Sequence, residues 1–197
     1  PNVHSYTAAI SACGRGGQWQ RAVGLYNEVR NVGLDLDVVL CGSAVAACGA
    51  AGSWQCALSI LGGMEIAGVE ANTTAYNSAL GACEKGARWA EALQLLQTMR
   101  SQDASPDIVS YRAAAGACEA AGCSKEVETL CQGVTETLKK TQCPQEVLCG
   151  LSVLAQFGSE PGGVGKASSQ RAVNRGCGLL GESVPKLSPR EVGTLLW

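Results

Sequence analysis

Apolar residues recur along this chain at helical spacing, and the whole pattern recurs every 35 residues. Tyr76, Ala79, Leu80 and Cys83 fall at i, i+3, i+4 and i+7, which is one face of a helix. Gly86 follows, and a glycine past the last turn suits the backbone that closes a helix. Trp89, Ala92, Leu93, Leu96 and Met99 then form a second apolar face, so a second helix begins near Arg88. Ser105-Pro106-Asp107 stops it, because proline cannot continue a helix and restricts the residue before it. One period therefore predicts one helical hairpin.

The registers hold through four copies. Tyr6, Cys41, Tyr76 and Tyr111 share one slot, and Trp19, Trp54, Trp89 and Ser124 another. Ala22, Ala57, Ala92 and Val127 form a third, and Leu25, Ile60, Leu95 and Leu130 a fourth. The turn reads Gly16-Gly17, Ala51-Gly52, Gly86-Ala87 and Ala121-Gly122. A single hairpin cannot bury its own apolar stripe, so the copies must stack. The expected fold is all-α: a right-handed α-solenoid of tandem helix-turn-helix repeats. Small residues such as Ala8, Ala9 and Ala12 are expected to let neighbouring hairpins pack closely. The tryptophans share a face with the leucines and read as core packing.

In this register residues 1–2 close a preceding repeat, and the copies occupy 3–37, 38–72, 73–107 and 108–142. Residues 143–157 read as a further helix capping the stack. Residues 158–187 are rich in Gly, Ser and Pro and read as a flexible linker. Residues 188–197 open another helix, with Ser188 as N-cap and Pro189 in the first turn. The chain thus reads as a piece of a longer array.

Composition narrows the chemistry. The chain is 46% hydrophobic but only 5% aromatic, so its core must be assembled from small side chains. No stretch approaches the roughly 18 apolar residues of a membrane span. Eleven cysteines suggest a disulfide framework until their spacing is noticed. Cys13, Cys48, Cys83 and Cys118 occupy one repeat slot, where free cysteine serves as a small hydrophobe in a reducing compartment. Zinc is not expected, since no CxxC pair occurs and His4 is the only histidine. Gly165-Lys166 is no phosphate loop: Glu160 stands where glycine belongs, and Ala167 where a serine or threonine is needed. No nucleophile has a partner histidine, and Glu84 and Glu119 recur as a helix-end surface feature. Neither catalysis nor a cofactor is expected. Net charge is −2, whereas a chain that holds nucleic acid by neutralising phosphates is usually basic.

Each copy opens on a β-branched residue, Val3, Val38, Thr73 or Ile108. In most copies Tyr and a polar residue follow three positions later, and the third copy closes on Pro-Asp. This pattern resembles the pentatricopeptide repeat over about three quarters of the chain. The resemblance implies single-stranded RNA as partner, with one base per repeat read by two or three side chains. By that resemblance the readers are the residue after the tyrosine and the last residue of the repeat, with the second residue packing against the base. The first repeat then presents Thr7 and Asp37 beside His4, resembling a guanine reader. The third presents Asn77 and Asp107 beside Thr74, resembling a uracil reader. The second offers Gly42 and Asn72 beside Val39, and the fourth Arg112 and Gln142 beside Val109. These two depart from the usual pairs, since Gly42 brings no side chain and arginine is not a usual reader. The resemblance further implies a mitochondrial or plastid location, a role in RNA processing, stability, editing or translation, and protein partners in an RNA-processing complex. Residues 187–197 faintly resemble the opening of a different helical repeat of organellar RNA-processing proteins. The acidic balance and the two divergent copies keep a second reading open. That is a protein-interaction scaffold of the tetratricopeptide type, a related repeat of slightly shorter period.

Overall fold

The computed structural model describes residues 2–102, 104–123 and 130. The chain divides into two compact units, residues 1–123 and 124–197. Of the second unit only Leu130 is described, and it is helical and buried. Ser124, Val127, Gln142 and the segments 143–157, 158–187 and 188–197 lie outside the described residues.

The first unit is an α-helical repeat solenoid. Its helices are α1 (Val3–Arg15), α2 (Trp19–Val32), α3 (Val38–Ala51), α4 (Trp54–Ile66), α5 (Thr73–Lys85), α6 (Trp89–Ser101) and α7 (Ile108–Ala120). No strand occurs among the described residues. The first helices of the hairpins, α1, α3, α5 and α7, pack against one another in a row. The second helices pack chiefly on the first helices beside them. The row with closer-packed members is the inner one of a curved stack.

The inner row is close because its facing residues are small. Ala44, Ala47, Ala79, Ala82, Ala114 and Ala117 are buried between first helices. Ala9 and Ala12 hold the same slots in α1, where Ala9 is half-buried and Ala12 exposed, and Ala8 is exposed too, so among the described residues the close packing they anticipate belongs to later copies. The cysteine slot behaves alike: Cys48, Cys83 and Cys118 are buried, while Cys13 in α1 is half-buried. Burial pushes the thiols of Cys41, Cys48 and Cys83 up to about 11, so they stay protonated and unreactive at neutral pH.

The tryptophans depart from the sequence expectation. Trp19, Trp54 and Trp89 start the second helices and are only half-buried. Trp54 lies over the turn of the next hairpin. A Cβ on Gly86 would stand 2.6 Å from its Cδ1, and the Arg88 guanidinium lies 4.3 Å from its ring centroid. Its position at the helix start leaves the ring half-buried against that neighbour.

Two slots trade volume. Cys41 stands where the other copies have tyrosine, while Tyr26 stands where α4 and α6 have Leu61 and Leu96. Both Cys41 and Tyr26 are buried. Burial, and next the nearby Cys41 thiol, push the Tyr26 phenol above its ordinary pKa. The ring missing from α3 is thus supplied by the preceding α2. Its hydroxyl ends against Gly63, where a Cβ would lie 2.8 Å away.

The hairpin turn carries a test of local strain. Gly17, Gly52 and Gly122 have φ of +70°, +73° and +73°, and Ala87 fills the equivalent position at φ +50°. A Cβ is disfavoured there. Ala87→Gly should therefore raise unfolding stability by about 0.5–1 kcal/mol, less the extra chain entropy of glycine. Urea denaturation of the two proteins checks this, and a lower midpoint for the glycine variant would refute it.

Candidate nucleic-acid interface

Each first helix starts at a residue that accepts a hydrogen bond from the backbone N–H three positions on. Asn2 Oδ1 accepts from Ser5 N at 2.9 Å and Asp37 Oδ1 from Leu40 N at 2.6 Å. Asn72 Oδ1 accepts from Ala75 N at 2.9 Å, as does Asp107 Oδ1 from Ser110 N. These are N-caps, which satisfy a donor that a helix start leaves unpaired. The second helices α2, α4 and α6 have no side-chain cap. The last residue of a repeat therefore starts the first helix of the next one.

Around these caps the first turns present a strip of side chains. His4 and Thr74 are exposed, as are Val39 at 61% and Val109 at 43%. Two apolar side chains are left open at equivalent positions of α3 and α7, with Thr74 of α5 between them, and each offers a face that a flat group could cover. Thr7, Gly42 and Asn77 are half-buried beside them, and Arg112 is exposed.

The structure treats the reading pairs differently. Asn77 and Asp107, thirty residues apart, are brought together: Asn77 Nδ2 donates to both Asp107 carboxylate oxygens at 3.1 Å. Ser110 joins them, donating from Oγ toward Asn77 Oδ1 at 2.5 Å and Asp107 Oδ1 at 3.0 Å. The same Oγ accepts from Asp107 N at 3.1 Å, which completes a capping box. In the first repeat Thr7 Oγ1 instead donates to Val3 O of its own helix at 3.0 Å, and Asp37 is occupied as a cap. Gly42 has no neighbour within 4 Å of the place its Cβ would take, so the second repeat has open space at this position. Arg112 Nη1 reaches Glu84 Oε1 of the preceding repeat at 3.4 Å, and both are partly exposed. Glu84 is thus an ion-pair partner of a candidate reading residue. Gln142 lies outside the described residues.

The strip is polar and apolar but not basic. Its caps Asp37 and Asp107 are acidic, and Arg112 is paired with Glu84. Among the described residues no group of three or more His, Cys, Asp or Glu could hold a metal ion, and no helix is long and apolar enough to cross a membrane.

A family profile described as PPR repeat matches residues 4–34 and 74–103, and one described as pentatricopeptide repeat domain matches residues 24–86. Together they span half of the chain. The chain belongs to the pentatricopeptide repeat family. No curated protein matches it in sequence. Solved pentatricopeptide repeat structures share its fold. The PPR domain of Arabidopsis thaliana protein-only RNase P 1, in complex with tRNA, aligns at TM-score 0.63 and 16% identity, over 95% of this chain and 93% of that one. Maize PPR10 aligns at 0.65 and 19% identity, over 100% of this chain and 26% of that one. PPR10 in complex with an 18-nt psaJ RNA element aligns at 0.56 and 17% identity, over 99% and 30%. The chain therefore spans less than a third of PPR10.

Proposed function

We propose that this pentatricopeptide repeat chain binds single-stranded RNA and acts in organellar RNA processing, stability, editing or translation, as a binder and not as a catalyst. The observation that carries this reading is the Asn77–Asp107 pair, joined across thirty residues at the edge of an exposed strip. Amide and carboxylate together offer donors and acceptors to a base edge. Exposed Val39 and Val109 supply apolar surface on which bases can pack. The fold it shares with PPR10 and the protein-only RNase P 1 domain, both solved with RNA, supports the same reading.

Magnitudes set the expected strength. Stacking is worth about 1–3 kcal/mol per base, and micromolar affinity needs about 8 kcal/mol. With Gly42 empty and Arg112 paired, this chain alone should bind weakly. Without a basic strip, its affinity should also change little with salt.

The test is fluorescence anisotropy with labelled single-stranded RNAs. One set places G and U two positions apart to match the first and third repeats, and the other exchanges those bases. The matched set should bind a few fold tighter, and Asn77→Ala should abolish the difference. Equal binding of both sets would refute base reading. The scaffold reading has one observation of its own, an open groove of about 270 Å³ lined by Leu58, Leu61, Glu65, Glu91 and Leu95 on the outer helices. Absence of RNA binding at high micromolar protein would favour it.

A further inference from the structure

Ser110 is a polar side chain that the fold buries fully. Its slot is the third residue of the repeat. Ser5, Leu40 and Ala75 fill that slot in the other copies, so the fold does not require a hydroxyl there. Yet Ser110 Oγ is the atom that touches both Asn77 and Asp107.

Resting on the RNA-binding reading above, we infer that Ser110 is a positioning residue that holds the Asn77 amide still, in the orientation Asp107 selects, for a base to read. The donor and acceptor inventory makes the argument. Asn77 Nδ2 sits 3.1 Å from both Asp107 oxygens. Those oxygens are too close together for separate hydrogens to reach them, so one N–H serves both and the second is left for a ligand. At the other end Asn77 Oδ1 lies 2.5 Å from Ser110 Oγ, closer than the 3.0 Å from Oγ to Asp107. The hydroxyl hydrogen therefore goes to Asn77. A flipped amide would set its oxygen against the Asp107 carboxylate, which repels it. The Ser110 hydroxyl can accept as well as donate, so it pins whichever end of the amide faces it. Asp107 therefore selects the orientation, and Ser110 anchors the amide from the opposite end.

Without the hydroxyl, one of those two constraints is gone. The amide can then rock about its bond to Asp107, and a base that needs an N–H meets a donor no longer held in one place. Leu40 and Ala75 offer no hydroxyl to Thr7 or Gly42, so among these pairs only the third repeat has a fixed reader. A binding site gains affinity and discrimination when its groups are held in place beforehand.

The test uses the full chain and Ser110→Ala. Alanine already occupies this slot at Ala75, so the variant should fold with a melting temperature close to wild type. Anisotropy is read on four RNAs that differ only in the base facing the third repeat. The preference for the favoured base should fall roughly threefold in Ser110→Ala. The same change added to Asn77→Ala should have no further effect. Independently of RNA, the Asn77 side-chain amide resonances should shift and narrow toward free-amide values in Ser110→Ala, with their assignment fixed by their loss in Asn77→Ala. If those resonances do not move, the positioning role is wrong whatever the RNA data show. If they move while Asn77→Ala changes base preference and Ser110→Ala does not, the contact exists but does not set specificity, and the inference fails. If wild type has no preference and Asn77→Ala changes nothing, the RNA-reading proposal itself falls, and the specificity role with it.

Discussion

Gly49→Ala should lower the stability of the protein by about 3 kcal/mol, the upper end of the cost of forcing atoms into a packed interior. A Cβ on Gly49 would fall inside any real contact distance of the Ser78 carbonyl oxygen and 3.1 Å from its carbon. The obstacle is backbone, so no side-chain rotation can relieve it. Gly49 lies in α3 and Ser78 in α5, and the two helices must part for the methyl group to fit. Lys85 reinforces this junction, since its Nζ donates to Ala50 O at 2.6 Å and Gly49 O at 3.2 Å at the end of α3. The control is Gly42→Ala in the same helix, where nothing lies within 4 Å. That change should be neutral or stabilise by up to about 1 kcal/mol, because alanine favours helix more than glycine does. Urea unfolding followed by far-ultraviolet circular dichroism reads both. Equal midpoints for the two variants would show that the close approach of α3 and α5 is not a structural necessity.

The second large effect is expected at Asp107, where two roles can be separated. Asp107→Ala removes the N-cap of α7 and the acceptor that holds Asn77, and should cost about 2 kcal/mol. Asp107→Asn keeps the cap, as Asn2 and Asn72 show in the equivalent slot, and should stay within about 0.5 kcal/mol of wild type. It nonetheless turns an amide toward the Asn77 amide in place of a carboxylate. Base preference at the third repeat should therefore be lost in both variants, by as much as in Asn77→Ala. Denaturation together with anisotropy on the same samples tests this. If Asp107→Asn kept full preference, the carboxylate would have no part in reading. If it unfolded as readily as Asp107→Ala, charge and not capping would be what the helix start needs.

Much of this architecture is visible in the sequence for a physical reason. Stacked hairpins repeat their contacts, so Ala44, Ala79 and Ala114 recur where first helices meet, and cysteine recurs at 48, 83 and 118. The turn shows as Gly17, Gly52 and Gly122 because a left-handed backbone restricts the residue type. What the period hides is any feature that one copy does not share with the others. Tyr26 and Cys41 each break their own register, and only their burial together shows that one exchanges volume with the other. The tryptophans lie on the leucine face by angle, but angle does not say that a residue at the helix start is left half-buried. Thr7 with Asp37 and Asn77 with Asp107 look alike as reading pairs, yet only the second is joined by direct hydrogen bonds, because the Asn77 amide reaches the carboxylate while the Thr7 hydroxyl donates to Val3 O of its own helix. The Arg112–Glu84 contact bridges two copies, and a pattern read one repeat at a time has no place for it.

The caps at Asn2, Asp37, Asn72 and Asp107 bear on how such an array can change over generations. A residue that must begin a helix can be exchanged cheaply only for another good beginner, which leaves aspartate, asparagine, serine and threonine. Drift at these four caps is thus confined to a small alphabet of short side chains, whatever partner the strip faces. The residue after the tyrosine has no such duty, as Thr7, Gly42, Asn77 and Arg112 illustrate. New preferences should accordingly arise first at the unconstrained slot, with the helix-starting slot following in small steps.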